Sequence, residues 1–147
     1  MNLSANFTLE ELTHTDHREL DNTPNDTEKN NLKRLAEFLE EVKKVLGGKP
    51  VMVNSAFRSK AVNDAVGSKD TSQHRIGCAA DLRIPGMTPD EVVKAIISSG
   101  IAYDQVIREF ASPTGGGWTH ISVPNEPVGT PRRQALIIDK QGTRVYG

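Results

Sequence analysis

The stretch Gly77-Cys78-Ala79-Ala80-Asp81-Leu82-Arg83-Ile84 does most to limit what this chain can become. In an extended strand, side chains alternate between the two faces of a sheet. Gly77, Ala79 and Asp81 then share one face, and Cys78, Ala80 and Leu82 share the other. The second set asks for a buried core. The first surrounds a carboxylate with almost no bulk, leaving room for something to sit against the backbone. His74 precedes this strand in the loop Ser72-Gln73-His74 and is placed to reach into the same space. The expectation is a strand with a core on one side and a site on the other.

The flanking segments supply the layers. "MTPDEVVKAIISSG" reads as a helix with a Thr88/Glu91 capping box, Pro89 at its first position and Gly100 at its end. From Glu28 to Leu46, Leu32, Leu35, Ala36, Leu39, Val42 and Leu46 follow helical spacing, and "GGKP" stops the run. "FTLEEL" carries a Thr8/Glu11 capping box, and Ser59 is placed to cap "KAVNDAV". "VMVNSAF", "YDQVIREF" and "WTHISV" are β-prone, the last two joined by "ASPTGGG". "QALIIDKQGTRVYG" predicts a hairpin turning at Lys140-Gln141-Gly142. The fold class is α+β, a small, mostly antiparallel sheet with flanking helices, and residues 1–147 are expected to form a single domain.

Charge is nearly balanced, 18 Lys+Arg against 19 Asp+Glu, which argues against nucleic acid or an anionic membrane as partner. No apolar run approaches the roughly 20 residues of a membrane span. The single cysteine, Cys78, excludes an internal disulfide and is expected to be a buried, inert thiol. "MNLSANFTLEEL" has neither the basic nor the apolar region of a secretory signal, so synthesis without an export address is expected. A monomer is the default.

In "WTHISV", Trp118, His120 and Ser122 share one face, with Thr119, Ile121 and Val123 on the core side. A neighbouring strand can thus bring His120 to the pocket of His74 and Asp81. Two imidazoles and a carboxylate are a catalytic zinc set that leaves a fourth position for water. From spacing alone, a structural His–Asp pair and an unrelated histidine fit the residues as well.

Ser72 to Asp81 matches, at every fixed position, the SxHxxGxAxD motif of the zinc D-Ala-D-Ala carboxypeptidase family, which includes phage and bacterial peptidoglycan endopeptidases. "WTHISV" resembles that family's second ligand motif and "NSAFRS" its "SGYRS"-type segment. "FTLEEL" with "DNTPND" resembles the start of short phage-type members. The resemblance runs from about Phe7 to Val123. It implies one Zn2+ held by His74, Asp81 and His120, on the fold shared with hedgehog signalling domains. It also implies Arg58 in the active site, holding a carboxylate or carbonyl oxygen of the substrate; pairing of Arg58 with Asp64 or Asp70 is the alternative.

Ser72 is a candidate to bind substrate or orient the ligand loop, with Gln73 a weaker one. Trp118 is either a wall of the substrate cleft or core. His14 and His17 read as a surface pair, and Glu10, Glu11, Glu40 and Glu41 as solvated helix faces.

Many relatives carry an acid three residues before the last histidine, where this chain has Gly117. The general base is therefore expected to be Glu109, brought near His120 by a hairpin, with Asp104 second. The implied activity is hydrolysis of peptidoglycan stem peptides at D-Ala-D-Ala or at an internal bond such as L-Ala-D-Glu. A phage-derived enzyme would be made in the host cytoplasm and reach the wall through a holin or as a virion component. The alternative is a non-catalytic zinc-containing binding or structural protein, as hedgehog domains illustrate.

Overall fold

The computed structural model describes residues 1–112, 114 and 116–147. The small-residue strand, β2 (Ala79–Arg83), lies inside a six-stranded sheet. In chain order the other strands are β1 (Met52–Ser55), β3 (Gln105–Glu109), β4 (Trp118–Ser122), β5 (Gln134–Asp139) and β6 (Gly142–Val145). Their order across the sheet is β1-β2-β4-β3-β5-β6. The α+β class follows from the helices α1 (Leu9–Leu12), α2 (Asp26–Val45), α3 (Lys60–Ala65) and α4 (Pro89–Ser99).

One pair departs from the antiparallel expectation: β5 runs parallel to β3. The chain leaves β4, crosses through residues 123–133 and re-enters on the far side of β3. The predicted β5–β6 hairpin then forms the edge. Local patterns disclose that hairpin but not its neighbour, because the crossover has no periodicity of its own.

Ala80 and Leu82 of β2, Val106 of β3 and Ile121 of β4 meet Leu32, Leu35, Leu39 and Val42 of α2 and Val92, Val93 and Ile96 of α4 in one core. Cys78 is fully buried there. Helix α2 begins two residues earlier than its apolar spacing indicates. Asn25 caps it, exchanging hydrogen bonds with Glu28 at 2.8 Å in each direction. The first turn carries no apolar residue, so periodicity is silent there. The predicted caps at Thr8, Ser59 and Thr88 all form. Glu40, expected to be merely solvated, accepts from Ser4 Oγ at 2.6 Å and from the Asn6 side-chain amide at 2.7 Å, tying the N-terminal segment to α2.

Candidate active site

Antiparallel register sets Asp81 of β2 directly opposite His120 of β4. Directly paired residues put their side chains on the same face, so both project away from the core. His74 arrives on a 3₁₀ turn, Gln73–Ile76, capped by Ser72, whose Oγ accepts from the His74 backbone N–H at 3.3 Å. Gly77 ends the turn with φ +82°. A Cβ there would lie 3.0 Å from the Glu28 carbonyl oxygen and 3.1 Å from Leu32 Cγ. Only glycine lets the turn settle on α2 and swing His74 back toward Asp81.

The three side chains converge. Asp81 Oδ1 is 3.3 Å from His74 Nε2 and 3.0 Å from His120 Nδ1, and the two rings meet edge to face at 5.1 Å. Ligands at zinc–nitrogen distances on a tetrahedron stand about 3.3 Å apart, so the donors suit such an ion in type and spacing. The other ring nitrogen of His74, Nδ1, is 2.7 Å from the Ala56 carbonyl oxygen. A carbonyl only accepts, so Nδ1 carries a proton and Nε2 is the nitrogen turned toward Asp81, the one available to a metal once it is unprotonated. Arg58 donates to Asp81 Oδ2 at 3.3 Å and to Ser55 Oγ at 3.1 Å, leaving Oδ1 to the histidines. Burial pushes the Asp81 carboxyl up, but the neighbouring imidazoles outweigh it and hold the group well below the ordinary carboxylate range.

Arg58 therefore lies in the site, in contact with a candidate ligand. Its alternative partners, Asp64 and Asp70, pair instead with Lys60 at 3.1 and 3.6 Å. His14 and His17 stay outside the cluster, beside Asp16 and Glu19.

Glu109 pairs with Trp118 across the β3–β4 ladder, which puts it on the face of His120 and at the margin of the same cleft. That cleft encloses about 760 Å³ and is lined by Arg58, Ser72, Glu109, Trp118 and Ile138 beside the three candidate ligands. Trp118 is half-buried, and its indole N–H donates to Glu109 Oε2. Trp118 is thus a cleft wall that also fixes the carboxylate. Burial, then the Asp81 charge, push the Glu109 carboxyl above its ordinary range against the pull of His120, Trp118 and Arg58. A raised carboxylate beside possible metal ligands has the character of a general base.

Gly117 has a structural reason. With φ +89°, its Cβ would fall 2.4 Å from the Glu109 carbonyl oxygen and 2.6 Å from Ala111 N. No acid fits there, because the backbone of residues 109–111 occupies the space. The expected "ASPTGGG" connection between the strands falls partly on Pro113 and Gly115, outside the described residues.

Asp104 is not near the candidate ligands as a base. It is buried behind the 3₁₀ turn, where Arg132 donates to it from Nη2 at 2.7 Å. Burial pushes its carboxyl up, but the bonds from Arg132 prevail and hold it below the ordinary range. Gln73, considered for substrate, points into this cluster. It donates to Asp104 Oδ2 at 3.1 Å and the Val123 carbonyl at 3.0 Å, and accepts from Arg132 Nη2 at 3.3 Å. The residue before His74 is thereby bolted to two distant segments. No spacing rule links positions 73, 104 and 132. Arg132→Ala is expected to weaken zinc binding about tenfold, as loss of outer-shell support does, measured by competition with a chromogenic chelator. Unchanged affinity would show that the cluster serves the fold alone.

No curated protein matches the sequence. A family profile described as Peptidase M15 does, across residues 5–122. That span covers most of the chain and includes every residue placed around the cleft except Ile138. Fold, cleft and profile agree, and the chain belongs to the Peptidase M15 family.

Proposed function

We propose that the protein is a zinc peptidase that hydrolyses peptidoglycan stem peptides. The observation that carries this reading is the proximity of a desolvated carboxylate, Glu109, to the convergent His74, Asp81 and His120 in one open cleft. A zinc ion, when bound, supplies a Lewis acid for the scissile carbonyl and lowers the pKa of water to about 7. His74, Asp81 and His120 would hold it; Arg58 fixes Asp81 and lends positive charge to the cleft. Glu109 takes a proton from the attacking water and delivers it to the leaving amine. The indole N–H of Trp118 keeps that carboxylate aimed.

The motif from Ser72 to Asp81 supports substrates with D-amino acids, cut at D-Ala-D-Ala or at an internal bond such as L-Ala-D-Glu. The likeness of "FTLEEL" and "DNTPND" to phage-type members supports phage-derived wall lysis, with release through a holin or carriage in the virion. Among the described residues, no helix is long and apolar enough to cross a membrane.

The test is digestion of purified peptidoglycan by zinc-loaded and chelator-treated protein, with products identified by mass spectrometry. Defined stem-peptide fragments should appear only with metal and return when zinc is restored. Tight zinc binding without products from any wall type would support the non-catalytic binding protein instead.

A further inference from the structure

Phe110 follows Glu109 directly and is out of keeping with its surroundings. It is a large apolar side chain, 44% exposed. Its φ is +51°, in the left-handed region that glycine and asparagine occupy readily and that aromatic residues avoid. Two close approaches accompany that backbone. The Phe110 N–H donates to the Ile138 carbonyl at 2.8 Å, and a Cβ on Gly117 would lie 2.6 Å from the Phe110 carbonyl carbon. Neither core burial nor backbone preference accounts for a phenylalanine here. What the conformation does achieve is to set the ring beside Trp118, centroids 5.5 Å apart and planes 35° from parallel, on the lining of the cleft. Strained residues cluster at sites where their geometry is used.

The lining of the cleft is mixed: Phe110, Trp118, Ile138 and Val66 contribute apolar surface, and Arg58, Ser68 and Ser72 contribute polar groups. We propose that Phe110, backed by Trp118, is a specificity-determining shelf that receives a small apolar side chain of the bound peptide next to the scissile bond, with the peptide's oxygens turned toward Arg58. The peptide class rests on the function proposed above; the shelf itself rests on the exposed ring, its backbone and its place beside Trp118 in the cleft.

Phe110→Gly is the informative substitution because it removes the ring and relieves the backbone together. Its melting temperature should equal or exceed that of the wild type, and its affinity for zinc should be unchanged. The probes are two soluble stem pentapeptides ending in D-Ala-D-Ala, one with L-Lys and one with meso-diaminopimelate at the third position. For whichever is cut, KM should rise about tenfold with little change in kcat, the scale of losing one apolar contact surface, and Phe110→Leu should recover most of it. Trp118 is the only tryptophan, so its fluorescence reports binding independently of turnover. In a Glu109→Gln background, which holds the peptide uncut, the dissociation constant should shift by the same factor.

Wild-type KM in Phe110→Gly overturns the shelf while leaving the peptidase reading intact. A lower melting temperature overturns it too, since the ring would then serve the fold. Phe110-dependent binding without hydrolysis by the wild type leaves the shelf standing and removes the peptidase. Neither binding nor hydrolysis of either peptide overturns both.

Discussion

Glu109→Gln is expected to lower the peptidase rate by a factor of about 10² to 10⁴, with zinc still bound and the fold no less stable. The amide keeps the size of the side chain and an oxygen for the Trp118 indole N–H, but it takes no proton from water. The effect on stability follows from the direction in which the Glu109 carboxyl is displaced. Burial and then Asp81 raise it, with His120, Trp118 and Arg58 opposing. A carboxyl raised by folding favours its protonated form in the native state. Its contribution is therefore greatest below the unfolded pKa and is lost as pH rises through the folded one. In the zinc-free protein at neutral pH the ionised group is a burden that glutamine removes, so thermal denaturation with chelator present should show Glu109→Gln at or above wild type. Activity has the opposite sign. The base works only when ionised, so kcat/KM should fall as pH drops through the pKa that Glu109 has beside the bound ion. Wild-type hydrolysis by Glu109→Gln would end the assignment.

Glu109 also shows where the sequence stops being informative. The alternation around Asp81 and His120 is a period-two pattern, and a sheet must honour it because a slip of one residue would turn its core face to water. The shared face of Asp81 and His120 was legible for that reason, whereas His74, on a 3₁₀ turn outside the pattern, joined them through the resemblance of Ser72–Asp81 to a known motif. The meaning of Gly117 was not. In the sequence it reads as a missing acid, whereas in the fold it is the residue that lets the backbone of Glu109–Ala111 close against β4. That closure depends on the register of Glu109 against Trp118, which a glycine-rich connection does not dictate. The same limit hid the Gln73–Asp104–Arg132 cluster and the parallel entry of β5. Each joins segments far apart in the chain through side chains that lie in no repeating pattern.

Asp81→Ala should abolish zinc binding and, with it, all metal-dependent hydrolysis. Asp81 is the residue on which the site converges: both imidazoles of the candidate ligand set approach Oδ1, and Arg58 donates to Oδ2. Removing the carboxylate leaves two nitrogen donors and a guanidinium whose side chain is only 15% exposed. Stranding one partner of a buried ion pair costs about 3–5 kcal/mol, so the zinc-free variant should also melt well below the zinc-free wild type. The folded Asp81 carboxyl is held low, and stability from such a group is present above the unfolded pKa and lost as pH falls through the folded one. The gap between the two proteins should therefore be full at neutral pH and narrow only in strong acid. Asp81→Asn separates the two effects, because the amide oxygen still accepts from Arg58 while the charge that favours the ion is gone. At zinc concentrations a thousand times its dissociation constant, the wild type gains about 4 kcal/mol by mass action, and neither variant should gain measurably. Zinc that raises the melting temperature of Asp81→Asn as far as that of the wild type would place the ion elsewhere and dismantle the site from its centre outward.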